Sequence, residues 1–464
     1  MTFAVNFLIR LAATLIPVKR WRKRARRHLI NLAQMAQLRK RLPALRANYA
    51  ARERLCRAKY ASGLRLDAVF LVHDGSMFSA EPIYRIMKAD PAFQTRLLAI
   101  PDPSRGDDFM RLRLEKTLAA LRKIYPEAES AFDPDDGTAV DLHGKADVVF
   151  TSNPYLDQTL PQYALDGLAK HTLPVLVPYY YAGLHAVEPR RMVFRPGYSI
   201  PWRLILPNDE VLKVWTAANP LLAAASEVGG YPKMDRLAAI RPEPSPRKTV
   251  IISPHHSIAT EGDGAAQSNF LRLADFFLTL PERYPSLYFV FRPHPFLFQR
   301  FKEKATAGWD AARAQAYLDA WRALPNACYQ DGGDYFETFA SSSALIHDCG
   351  SFLAEYFYTG NPQCYVLRSR EKIATEFTSF GRRLADNISL AVTEAEILSF
   401  VEEVVVNGHD PQRDARARFA AETVCSFHPH AAEAVCGLVR AALCVPSPSA
   451  SDAQDGRISP ACGD

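Results

Sequence analysis

The eight cysteines, at 56, 328, 349, 364, 425, 436, 444 and 462, form no C-x-x-C pair. The chain of 464 residues is too long and too apolar to need disulfide staples. Reduced thiols in a cytoplasmic compartment are therefore expected. No stretch reaches 18 uninterrupted apolar residues, so no transmembrane span is expected. No A-x-A-like site follows the N-terminal apolar stretch, and its basic residues come after it, an order that argues against a secretory signal. No internal repeat occurs at solenoid periods. Acid is scarce at one end: residues 1–60 hold sixteen Lys or Arg and only Glu53 opposing them. The remaining chain holds 40 basic and 49 acidic residues, so the positive charge belongs to one terminal segment.

That segment has a pattern. Phe3, Phe7, Leu8, Leu11, Leu15 and Ile16 recur at helical spacing, and Pro17 ends the run. Seven of the nine residues 19–27 are basic, with Trp21 among them. An anionic membrane surface suits both, each Lys or Arg contributing about 1 kcal/mol there. Packing on the body and a nucleic-acid arm are the alternatives, and no nucleic-acid partner is expected. Residues 1–60 are thus predicted as basic amphipathic helices that associate with a membrane.

The body alternates short apolar strands with longer helical stretches. Candidate strands are Asp67–Val72, Arg96–Ile100, Asp147–Thr151, Pro174–Pro178 and Arg203–Leu206, then Thr249–Ser253, Leu287–Arg292, Ala344–His347 and Cys364–Leu367. Asn269–Thr279 and Trp309–Arg322 read as helices. Strands alternating with helices imply an α/β fold with two doubly wound parallel sheets. The Pro-rich stretch Arg241–Arg247 reads as an exposed connector. The predicted units are 61–228, 229–425, and 426–464 as a terminal helix with a disordered tail. Ligands of doubly wound domains bind at the C-terminal ends of strands, which places the site in a cleft between the two.

The residues at those strand ends carry the chemistry. Ala344–His347 is followed by the turn Asp348-Cys349-Gly350-Ser351 and a helix over 352–359, stopped by Gly360 and Pro362. Such a strand–turn–helix suits a phosphate. Ser351 either caps the helix or donates to a phosphate, and Glu355 either accepts from ribose hydroxyls or complements the helix dipole. Arg292-Pro293-His294-Pro295 ends another strand, and its prolines fix His294, which either stabilises a leaving phosphate or is a structural histidine of the Pro turn. His255 and His256 end a third, where alternation turns one of the two toward the cleft. No further His or Cys stands at ligand spacing in sequence, so no metal is expected there. His73 follows the first strand of the N-terminal half and is either a general base or a surface-loop histidine. Asp133-Pro134-Asp135-Asp136 matches a D-x-D pattern but has no strand before it. Asp157, Asp166 and the other scattered acids show no pairing.

Gly230-Tyr-Pro-Lys-Met-Asp235, the strand ending in His255-His256, the 292–295 turn and the Asp348-x-Gly350-Ser351…Glu355…Gly360-Asn-Pro362 run occur in one order. Together they resemble the CDP-glycerol glycerophosphotransferase family of teichoic acid and capsule enzymes, over roughly residues 66–400. The resemblance implies a GT-B fold of two Rossmann-like domains. It also implies work at the cytoplasmic face of the bacterial inner membrane, as a peripheral protein without a metal or other cofactor. The implied reaction transfers a polyol phosphate from a CDP-activated or other nucleotide-activated donor to a hydroxyl of a saccharide or lipid-linked acceptor. It implies that His294 contacts the donor pyrophosphate, that Ser351 holds phosphate, and that Asp348 and Glu355 shape the nucleotide pocket. Gly350, Arg292 and His255 stand beside them as binding candidates. The family's Trp-His-Gly motif has its counterpart at Tyr180-Tyr181-Ala182-Gly183, where the His is missing. His73, His185 and His256 remain as candidate bases. A glycosyltransferase using a nucleotide sugar and a non-catalytic assembly protein are the alternative readings.

Overall fold

A computed structural model describes residues 19–182, 184, 193–243, 245–258, 267–303 and 305–446. The apolar run at 3–16, Pro17, His185 and the tail from 447 lie outside the described residues.

Among the described residues, thirteen strands form two parallel sheets. The N-terminal sheet comprises β1 Leu66–Val72, β2 Phe93–Ala99, β3 Glu129–Ser130, β4 Val148–Thr151, β5 Leu173–Leu176, β6 Arg203–Leu206 and β7 Ser226–Val228. Their order is β3-β2-β1-β4-β5-β6-β7. The C-terminal sheet comprises β8 Thr249–Ser253, β9 Tyr288–Phe291, β10 Ala327–Tyr329, β11 Ala344–His347, β12 Gln363–Val366 and β13 Ser389–Ala391. It repeats the pattern as β10-β9-β8-β11-β12-β13. In each sheet the chain winds outward from a central strand in both directions, so the switch point falls beside β1 in one and β8 in the other. This is the GT-B arrangement of two doubly wound domains.

Buried on both faces, the central strands are near-continuous Val, Ile and Leu. Alternation along β8 still assigns its side chains to two cores. Ile251 joins an apolar cluster that runs through the N-terminal domain, with Val290 and Leu345 beside it. Val250 and Ile252 join a second cluster on the opposite face, with Phe289, Phe291 and Trp321. Phe291 stacks on Trp321 at 4.8 Å between centroids.

The helix Lys19–Ala61 is one 43-residue element with Pro43 inside it. Leu38, Leu42, Tyr49 and Cys56 repeat at four- and seven-residue spacing and are buried. Tyr49 donates to the Ile200 carbonyl at 2.6 Å, and Lys59 pairs with Asp67 and Asp147 at 2.6 and 2.7 Å. Residues 38–60 of the segment predicted for the membrane are therefore docked on the N-terminal domain. No helix among the described residues is long and apolar enough to cross a membrane.

The helix Ala431–Leu443 packs against Glu81–Ala89 of the N-terminal domain. Asp235 fastens its start by accepting from the Ala432 N–H at 2.7 Å. Gly230 approaches the same place with φ +81°, and a Cβ there would stand 2.6 Å from the Ser426 carbonyl. The Gly230–Asp235 motif is thus the joint where the chain leaves one domain and its end returns.

Candidate active site

Three adjacent strands of the C-terminal sheet deliver the predicted donor-side residues. β8 leads to His255 and His256, its neighbour β9 to His294, and its other neighbour β11 to Asp348–Ser351. The His294 N–H bonds to the Pro254 carbonyl at 3.0 Å, which locks the two turns together. The rings of His255, His256 and His294 gather with centroids 4.1 to 5.2 Å apart. One ligand-type nitrogen from each lies within 4.8 Å of the others. Sequence spacing had argued against any such trio. The third histidine comes from a neighbouring strand, which spacing along the chain does not reveal.

Backbone contacts fix the proton on two of these rings. A backbone N–H can only donate, so the ring nitrogen facing it carries a lone pair. Phe296 N–H donates to His294 Nδ1 at 3.2 Å, and Ser257 N–H donates to His255 Nδ1 at 3.2 Å. In the neutral ring the proton then sits on Nε2 in both. Burial holds His294 at about 3 and His256 at about 4, with the His256 and Arg300 charges adding to the respective effects. Near neutral pH His256 and His294 are uncharged, and His255 and His294 each hold an N–H donor at Nε2. His256 Nδ1 is buried with no hydrogen-bond partner among the described residues.

Ser351 stands at αR dihedrals, φ −64° and ψ −41°, and makes no side-chain cap. The capping alternative is thus set aside, and its hydroxyl has no partner among the described residues. Gly350 lies in the same partly exposed turn.

Three other predicted ligand contacts look inward instead. Arg292 is 6% exposed, and its guanidinium binds Gln330 Oε1 at 3.0 Å and the Gly333 carbonyl at 2.7 Å. Asp348 is 3% exposed and accepts from His255 N–H at 2.6 Å and Asn269 N–H at 2.5 Å. Glu355 is 1% exposed and accepts from Tyr231 at 2.9 Å and Tyr335 at 2.6 Å, with Lys233 at 3.9 Å. Each group is buried because it is hydrogen-bonded, as an unsatisfied one would be costly. They build the site's walls and do not face its opening.

The N-terminal domain meets this face at several points. Tyr231 and Lys233 donate to the Tyr179 carbonyl, at 2.9 and 3.3 Å, just past β5. His73, after β1, is buried with Nε2 2.6 Å from the Gln158 carbonyl, and burial lowers it to about 4. Its Nε2 is therefore committed as a donor, and it is not a surface-loop residue. The acids 133, 135 and 136 lie in an exposed or partly exposed turn with Asp135 paired to Arg111 at 2.8 Å. Sequence reading also passed over Arg105, on the turn Pro103–Arg105 after β2. Its guanidinium lies 5.2 Å from the ring centroid of Phe296, beside His294. A cavity of about 470 Å³ lined by Asp141, His143 and His171 precedes β4 and β5 in the chain, at the opposite ends of those strands. It has no part in this site.

No protein-family profile and no curated protein matches the sequence. Solved structures match the fold. S. aureus MnaA with UDP shares 12% identity at a TM-score of 0.52, covering 83% of this chain and 99% of that one. The UDP-GlcNAc 2-epimerase of Neisseria meningitidis bound to UDP-GlcNAc shares 12% at 0.50, covering 81% and 99%. A variant of the wall teichoic acid polymerase TagF soaked with CDPG shares 13% at 0.50, covering 89% and 98%. At these identities the likeness establishes the GT-B fold.

Proposed function

We propose that the protein is a transferase that moves a polyol phosphate, of glycerol or ribitol type, from a CDP-activated donor to a hydroxyl of a saccharide or lipid-linked acceptor. It would serve cell-surface polysaccharide assembly as a peripheral protein at the cytoplasmic face of the bacterial inner membrane. The observation that carries this reading is the convergence of His255, His256, His294 and Ser351 at three adjacent strand ends. Hydrogen-bond donors gathered there suit the phosphates of an activated donor. The order of motifs from Gly230 to Pro362 supports the polyol-phosphate class. So does the TagF neighbour with CDPG, while the neighbours holding UDP and UDP-GlcNAc support nucleotide donors generally.

In this reaction an acceptor oxygen attacks the β-phosphorus of the donor. A new P–O bond forms, the pyrophosphate P–O bond breaks, and CMP leaves. The His255 and His294 N–H groups and the Ser351 hydroxyl stabilise charge on the phosphates. The acceptor's proton goes to a histidine. His73 has its Nε2 committed, and His185 lies outside the described residues. His256, neutral and partly exposed, is the one we assign.

The test is a donor panel of CDP-glycerol, CDP-ribitol, UDP-sugars and GDP-sugars, with released nucleotide measured in the presence of acceptor. CMP release supports the proposal. UDP or GDP release replaces it with glycosyl transfer or sugar-nucleotide chemistry, and no binding or turnover leaves an assembly role.

A further inference from the structure

The histidine site lies in the C-terminal domain, yet its supply of positive charge is thin. His256 and His294 are neutral, and the Asp348 carboxylate stands directly behind His255. Arg300 is nearby, but its Nη1 is engaged with the His256 carbonyl at 2.9 Å. A diphosphate brings several negative charges into such a place, and N–H dipoles alone balance them poorly.

The N-terminal domain offers a cation at this point. Arg105 follows β2 at its C-terminal end, on an exposed turn closed by Gly106 at φ +94°. Its guanidinium is held between two rings, 5.1 Å from Phe109 of its own domain and 5.2 Å from Phe296 of the other. Phe296 in turn stands 5.5 Å from His294 and 5.9 Å from His256. The neighbouring Arg113 is opposed by Asp74 and Asp102 at 3.6 Å each. Arg105 has no carboxylate or carbonyl partner among the described residues. Stacking orients a guanidinium by its face and leaves its N–H edge free for a planar array of acceptors.

We propose that Arg105 is a donor-binding residue. Delivered across the cleft by the N-terminal domain, it closes the His255–His256–His294 site over the diphosphate of the donor. This rests on the reading that a nucleotide-activated donor occupies that site. One prediction of the arrangement is that the diphosphate, rather than the base, is what the two domains share.

The experiment is calorimetric titration of the full chain with CDP and, separately, with inorganic pyrophosphate, using wild type, Arg105→Ala and Arg105→Lys. Loss of a charge-assisted contact predicts that Arg105→Ala weakens both ligands about ten-fold or more. Arg105→Lys, which keeps charge but loses the planar fork, should recover only part. The residue is exposed, so an intact melting transition in both variants is expected. Equal affinity of wild type and Arg105→Ala for both ligands overturns the proposal. If wild type binds pyrophosphate but not CDP, and Arg105→Ala loses it, the role of Arg105 stands while the cytidine-donor reading falls. If wild type binds neither, both fall.

Discussion

The carboxylate of Asp348 accepts the backbone N–H of His255 at 2.6 Å, tying the turn after β11 to the turn after β8. Its second oxygen accepts the Asn269 N–H at 2.5 Å. A residue that sequence reading assigned to the nucleotide pocket is thereby the clamp that sets the direction of the histidine loop. In Asp348→Asn one acceptor becomes an NH2 group facing another donor. The expected cost is about 1–3 kcal/mol in chemical denaturation, accompanied by loss of donor binding. Unchanged binding would show that the loop keeps its shape without the clamp.

The dependence of stability on pH follows from buried histidines. His73, His256 and His347 are held at about 4 and His294 at about 3, in each case chiefly by burial. With pKa depressed in the folded state, their contribution is whole above about 6.5 and is lost as pH falls through 4. Asp348 acts in the opposite sense. Burial raises it to about 6, so its contribution is present below about 3.9 and lost as pH rises through 6. Four rings outweigh one carboxyl. The melting temperature should fall between pH 6.5 and 4, and more shallowly in His256→Asn. A rising or flat profile over that window would contradict the burial of these rings.

Glu355 joins three parts of the molecule. Its carboxylate meets Tyr231 and Lys233 of the connecting motif and Tyr335 of the C-terminal domain, and Lys233 reaches on to the Tyr179 carbonyl. Glu355→Ala leaves Lys233 buried without its carboxylate and the Tyr335 hydroxyl without its acceptor. Urea denaturation should show a loss of about 3–5 kcal/mol. A loss below 1 kcal/mol would mean the cluster is not buried in solution.

Much of the fold was legible because central strands of a doubly wound sheet are short apolar runs bounded by turns. The nine strands read from sequence all overlap observed ones. The four that were missed, β3, β7, β10 and β13, are the edges of the two sheets. Each has two or three residues, too few for any period to show. The site was legible as a set of strand-end turns, since topology alone brings those together. Which polar residues look outward was not. Arg292 finds Gln330 and Gly333, Asp348 finds Asn269, and Glu355 finds Tyr231, all distant along the chain. Arg105 escaped notice because its significance depends on Phe296 in the other domain.

The basic N-terminal segment gives a separate prediction. Residues 38–60 are docked on the body, so any surface attraction belongs to what precedes them. Pelleting with anionic vesicles should be lost when residues 1–30 are removed and should weaken with added salt. Equal pelleting by the truncated chain would assign the basic residues to another role.

The central claim is that the His294 and Ser351 turns act on the phosphates of a CDP-activated polyol. Its most direct test is release of CMP from CDP-glycerol or CDP-ribitol, with acceptor, by wild type, His294→Ala and Ser351→Ala. The account predicts CMP from the wild type, and at least a hundred-fold less from either variant with the fold intact. Failure of the wild type to release CMP, or near wild-type rates in both variants, would contradict it.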